Sequence, residues 1–150
     1  MRTRIVLRSA VILGLAIGEA SAHHPFWVTY NPAKFATLTG RVIKVQWTNP
    51  HVVLALDVES TDGKIERWLI EGNPPNTLIR QGWEKDSLRE GAQVTVTGWL
   101  ARDATLKIFH GREVTFGNGS TRLFGDTPEQ ADRWRCGGGD CPPWIPSIHE

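Results

Sequence analysis

Residues 37–71 read TLTGRVIKVQWTNPHVVLALDVESTDGKIERWLIE, and this stretch decides the fold. Three segments within it, Thr37 to Trp47, His51 to Glu59 and Gly63 to Glu71, are rich in Val, Ile, Leu, Thr and Trp. That is the composition of strands packing on a pleated surface. In the second segment Val52, Leu54, Leu56 and Val58 share one parity and Asp57 and Glu59 the other, the pattern of a strand with a core on one side only. Asp62-Gly63 supplies the tight turn into the third strand. Asn49-Pro50 favours a turn between the first and second and places His51 at the mouth of that connection.

Downstream, Pro74 to Gly82 predicts a short helix, with Asn73 as its cap, Pro74 in its first turn, Leu78 and Ile79 on its apolar side and Gly82 at its end. After the Asp86-Ser87-Leu88 turn, Ala92 to Leu100 and Leu106 to Phe116 give two more strands, the last ending before Asn118-Gly119. The order β-β-β-α-β-β is that of an all-β protein with one short helix, a five-stranded OB-like Greek-key barrel. A β-sandwich, the alternative, needs about seven strands. Gly40 and Gly111 fall where barrel strands bend.

On the other side of the deciding stretch, Arg2 and Arg4 precede an apolar run from Ala10 to Gly18, and Ala20-Ser21-Ala22 follows. This is the pattern of a secretory signal peptide over residues 1–22, cut after Ala22. The apolar run is about half the ~20 residues that span a bilayer, so the expected product is exported, periplasmic or secreted, with no stable membrane insertion. Cleavage removes Arg2, Arg4, Arg8 and Glu19 and leaves about 14 basic and about 15 acidic side chains, a nearly neutral chain. The bases alternate with acids along it, which argues against nucleic acid as a partner and leaves an envelope ligand or protein as the expected one. About 128 residues suffice for one domain, expected over residues 23–124. From 125 to 150, Pro128, Gly137-Gly138-Gly139, Pro142-Pro143 and Pro146 read as a tail. Its Cys136 and Cys141 suit a local disulfide in an oxidising compartment.

Cleavage after Ala22 frees the α-amine of His23. That amine closes a chelate ring around a metal ion either with the His23 imidazole or with the His24 amide nitrogen and imidazole, and both arrangements suit Cu(II). Pro25 has no amide proton to extend peptide-nitrogen coordination, so further ligands must come from the fold, with His51 the first candidate. The candidate metal ligands are therefore His23, His24 and His51. Glu71 either gives an oxygen ligand or caps the following helix. His110 shares parity with Leu106, Ile108 and Val114 and reads as a core histidine unless a bulge at Gly111 turns it outward. The ordinary alternative makes the paired histidines a solvated chain start and His51 a turn residue bonded to backbone.

Of the seven tryptophans, Trp47, Trp68, Trp83 and Trp99 lie on or beside strands, where they ordinarily fill a core. Were some to face outward, Trp47, Asn49 and Glu71 would form a ligand face for a glycan or protein. No GxSxG or HExxH occurs, and Asp57 and Glu59 alternate with core residues. No catalytic constellation is legible, so enzyme activity is not expected.

The mature start His23-His24, then YNPAK, TLTGRVIKVQWTNPH, WLIEGNPPNTLIRQGWEKDSL and REGAQVTVTG, resemble the exported bacterial family catalogued as domain of unknown function 6152. The likeness runs from His23 to about Phe124 and departs at Pro25, where a serine is usual, and in the cysteine-bearing tail. It implies export and these domain boundaries, and no established activity.

Overall fold

The computed structural model describes residues 26–125. Its elements are α1 (Phe26–Thr29), β1 (Tyr30–Gln46), β2 (Val53–Glu59), β3 (Ile65–Glu71), α2 (Pro75–Arg80), β4 (Gln93–Ala101), β5 (Ile108–Phe116) and β6 (Thr121–Leu123). Antiparallel pairing runs β3-β2-β1-β4-β5-β6, and a parallel pairing of β3 with β5 closes the ring. The cycle β1-β2-β3-β5-β4 is the OB-type barrel. Its closure is narrow: three register pairs join β3 to β5, against seven joining β3 to β2.

β1 serves both halves of the barrel. Phe35–Arg41 pair with β4 and Gly40–Gln46 with β2, with an irregularity between Val42 and Lys44. Gly40 sits where the two pairings overlap, and a Cβ there would lie 2.3 Å from the Asp57 carbonyl oxygen. No other residue fits so close an approach.

The alternation along the strands fills the interior with Val42, Leu54, Leu56, Trp68, Ile70, Val94, Val96, Phe109 and Val114, and one end is stoppered by Leu78, Trp83, Leu88 and Phe124. Burial of such a set is the main favourable term in the fold. α2 delivers Leu78 to the stopper, and Gly82 (φ +84) ends the helix in the left-handed conformation.

The structure corrects four expectations. Pro74, not Asn73, stands at the start of α2, without a side-chain cap. Asn73 is instead buried and donates from Nδ2 to the Gly125 carbonyl oxygen at 2.9 Å. The tail cannot begin at Gly125, because that residue is buried and its N–H bonds to Arg112 O. A sixth strand follows the five expected: Gly119 (φ +82) turns the chain into β6, which brings Phe124 into the core. The first strand starts at Tyr30 rather than Thr37, preceded by α1. Residues 1–22, His23, His24, Cys136 and Cys141 lie outside the described residues.

Candidate functional site

Parallel pairing of β3 with β5 sets Glu71 opposite His110 and Leu69 opposite Ile108. With Ile70 and Phe109 fully buried in the interior, alternation turns Glu71 and His110 to the outer wall. The β4–β5 register changes at Thr97/Gly98 and skips Arg112, so His110 and Val114, equal in parity, point to opposite sides. His110 is therefore not a core histidine of the barrel. A Cβ at Gly98 would stand 1.9 Å from the His110 carbonyl oxygen, so the glycine lets β5 lie close enough to hold His110 beside Trp99.

A second apolar cluster covers this patch of wall: Phe26, Tyr30 and Trp99, with Ile108 against them. Phe26 meets His110 edge-on at 5.0 Å and Trp99 at 5.4 Å between ring centroids, and Tyr30 lies 5.2 Å from His110. Such pairs add to plain burial. The first described residues are thus fastened to the outside of the barrel.

Tyr30 Oη donates a hydrogen bond to Glu71 Oε2. Burial, reinforced by that bond and by the negative charge of Glu71, pushes the Tyr30 phenol well above its usual range. Tyr30 therefore stays a donor at neutral pH. The other carboxylate oxygen, Oε1, is 3.4 Å from His51 Nε2. His51 Nδ1 stands 2.9 Å from the Gly72 carbonyl oxygen. A carbonyl only accepts, so Nδ1 carries the proton.

In the neutral imidazole Nε2 then presents a lone pair, and that lone pair faces a carboxylate oxygen, which is also an acceptor. A proton on Nε2 makes this contact an ion pair with the carboxylate. The His51 and Glu71 side chains retain 28% and 31% exposure, so solvent reaches the pair.

Glu71 does not cap α2: both its oxygens are engaged as described. Trp47 is half-buried and packs against the core. Its Nε1 is buried with no hydrogen-bond partner among the described residues. Asn49 is exposed, in the bend whose Asn49–Pro50 peptide is cis. Trp68 and Trp83 fill the core as expected, whereas Trp99 belongs to the outer cluster. Sequence reasoning missed Tyr30 and Phe26. Tyr30 is the chain's only tyrosine and opens the YNPAK motif, which was the one available signal. Among the described residues no group of three or more His, Cys, Asp or Glu side chains is arranged to hold a metal ion, and no helix is long and apolar enough to cross a membrane.

A family model described as "Family of unknown function (DUF6152)" matches residues 11–109. No curated protein matches. A solved structure similar to this chain is a mitochondrial single-stranded DNA binding protein of S. cerevisiae, Rim1, at 15% identity, covering 62% of this chain and 96% of that one, with a TM-score of 0.43. The expectation that nucleic acid is excluded as a partner does not hold on its own ground. That expectation rested on net charge, and barrels of this type bind single strands through local grooves and aromatic faces, which the overall balance of acids and bases does not report.

Proposed function

The chain belongs to the DUF6152 family, whose description carries no activity, and we propose from its own side chains that it is an exported binding module for Cu(II) or another late divalent ion. His51 Nε2 and Glu71 Oε1 supply two ligands from the barrel, and the processed start at His23-His24 supplies the rest. The supporting observation is that two ligand-type atoms, His51 Nε2 and Glu71 Oε1, stand 3.4 Å apart, with the Nδ1 proton committed to Gly72. A ring anchored through Nδ1 offers Nε2 in fixed orientation, the usual manner in which an imidazole is prepared for a metal.

The chain path supports the same reading. Phe26 is fastened on His110, Glu71's neighbour across the β3–β5 pairing. Nitrogen ligands with one carboxylate favour copper or zinc over magnesium or calcium. The signal pattern of residues 1–22 supports a module of the periplasm or cell exterior, acting as a carrier or buffer.

Titrating Cu(II) into chain that begins at His23, against chain with one extra Met before it and against His51→Ala, tests the proposal. Both changes are expected to weaken binding roughly tenfold or more. Equal affinity in all three chains overturns it.

The exposed apolar side chains Ile65, Leu69 and Leu106 favour a second reading. Leu69 N–H bonds to the Lys107 carbonyl, which sets Leu69 close to Leu106 near the β4–β5 loop, a side on which OB barrels take ligands. A glycan, a protein or a single nucleic-acid strand would bind there without metal, and Leu69→Asp would abolish that binding while leaving the Cu(II) titration unchanged.

A further inference from the structure

The barrel leaves two strand edges outside its ring of pairings, and they differ. At β6 the Leu123 carbonyl oxygen accepts a hydrogen bond from Trp83 Nε1 at 2.6 Å, and Arg122 donates to the Gly82 carbonyl oxygen at 2.7 Å. The segment after α2 thus caps that edge. β3 has no such cap. β2 flanks it from Ile65 to Glu71, whereas β5 joins its other side only at Leu69, Ile70 and Glu71. Among the described residues, no strand lies beside residues 65–68 on that side.

Backbone N–H and C=O groups of successive strand residues point to opposite sides. Even-numbered residues of this segment face β2: Ser60 N–H bonds to the Lys64 carbonyl oxygen and Gly72 N–H to that of Val52. Odd-numbered ones face the other way, where Leu69 N–H bonds to the Lys107 carbonyl oxygen. Ile65 and Arg67 therefore direct their backbone groups into the open edge, and the Ile65 side chain is 63% exposed. Such an edge is a template for another strand.

We propose that a second copy of this chain occupies it, β3 against β3, antiparallel about a two-fold axis at Ile65. The charges select this arrangement. Lys64 precedes Ile65 and Glu66 follows it, so the string carries opposite signs on its two sides and is complementary to its own reverse. That is the requirement of an isologous contact. Pairing about Ile65 sets Ile65 against Ile65 of the second copy, each Lys64 against the other copy's Glu66, and Arg67 against Gly63, which has no side chain to obstruct it. Within one chain Lys64 Nζ is 2.6 Å from Asp62 and Lys107 Nζ 2.9 Å from Glu66. The dimer joins these pairs into one row of alternating sign.

Neighbouring registers fail. An axis at Glu66 sets Glu66 against itself. An axis at Arg67 sets Arg67 against itself and needs the edge of Leu69, which β5 already holds. Like charges directly across a ladder are destabilising. The contact is short, well below the ~1,600 Å² of a standard interface, so the dimer is a weak one. It involves neither His51 nor Glu71.

Sedimentation equilibrium of the exported chain over a micromolar-to-millimolar series tests this, with thermal melts to show that each variant is folded. Wild type is expected to dimerise with concentration. Lys64→Glu and Glu66→Lys should each weaken self-association roughly tenfold or more, since each sets two like-charge pairs across the axis. Mixed in equal amounts, the two variants should associate with each other as wild type does. Amide exchange on wild type needs no variant: protection at Ile65 and Arg67 should rise with concentration while Glu66 and Trp68, facing β2, stay as they were. A chain that remains monomeric at millimolar concentration overturns the proposal, as does a dimer that neither charge reversal weakens or variants that fail to recover each other on mixing. Protection of the Ile65 and Arg67 amides in the monomer also overturns it, because residues outside 26–125 would then already cover the edge.

Discussion

The molecule buries aromatic side chains in two places, inside the barrel and on its outer wall beneath the first described residues. The interior set, with Trp68, Phe109 and Phe124 among aliphatic neighbours, carries few polar atoms beyond its indole groups, and the Lys107–Glu66 ion pair meets it only from outside, with Lys107 Nζ 5.0 Å from the Trp68 ring. On the wall, Phe26, Tyr30 and Trp99 surround His110, and the Tyr30 hydroxyl reaches Glu71 and through it His51. Apolar cover is therefore spent twice, once to close the fold and once to hold ionisable groups in fixed orientation at the surface. The second use stabilises little and makes chemistry available, because a carboxylate and an imidazole keep a defined geometry only where neighbours prevent them from turning to solvent.

The contrast predicts unequal responses to the same kind of truncation. Phe109→Ala removes a fully buried ring from the interior and should cost about 3–5 kcal/mol in a denaturant melt, with the whole domain unfolding earlier. Phe26→Ala removes a ring nearly as well buried, but from a one-turn helix at the margin of the described chain, and should cost about 2 kcal/mol or less. Its main effect is local: amide exchange should rise in α1 and at Tyr30 while the β2–β3 ladder stays protected, since marginal segments open without global unfolding. Equal loss of protection throughout the barrel would merge the two regions into one cooperative core.

The two regions were also unequally legible. The interior is written in alternation: Val52 just before β2, Leu54, Leu56 and Val58 within it, and Val94 and Val96 in β4 announce their facing directly, and the barrel order follows from them. The wall cluster depends on features that alternation does not encode. The skipped Arg112 moves His110 out of step with Val114, so parity counted along β5 assigns His110 to the wrong side. Tyr30 and Phe26 lie ahead of a proline-broken stretch, Asn31-Pro32, where no strand pattern is visible, and their place is set by contacts with residues seventy or more positions away. His51 was legible, because Asn-Pro fixes a turn by local chemistry. Its partner Glu71 was visible as a candidate while its pairing was not, since that pairing follows from the β2–β3 register, in which Val53 faces Glu71.

The smallest of the expected effects isolates the contact between cover and charge. Tyr30→Phe deletes one hydroxyl from the wall cluster and leaves both apolar sets intact, so the loss of stability near neutral pH should be about 1 kcal/mol, the scale of a single hydrogen bond. Its pH dependence carries the stronger test. The free phenol ionises at 10.0, and in the fold burial and Glu71 hold the proton on to higher pH. The folded state thus binds this proton more tightly than the unfolded one, so the stabilisation is fully present below about pH 10 and is lost progressively as pH rises above it. Because Tyr30 is the only tyrosine, phenolate absorbance reports this group alone. Folded protein should show no phenolate until alkaline unfolding, and Tyr30→Phe should remove the part of the alkaline stability loss that exceeds the contribution of the lysines. A phenolate signal appearing near pH 10 in folded protein would mean that the ring is not held on Glu71, and the wall cluster would then be simple apolar packing like the interior.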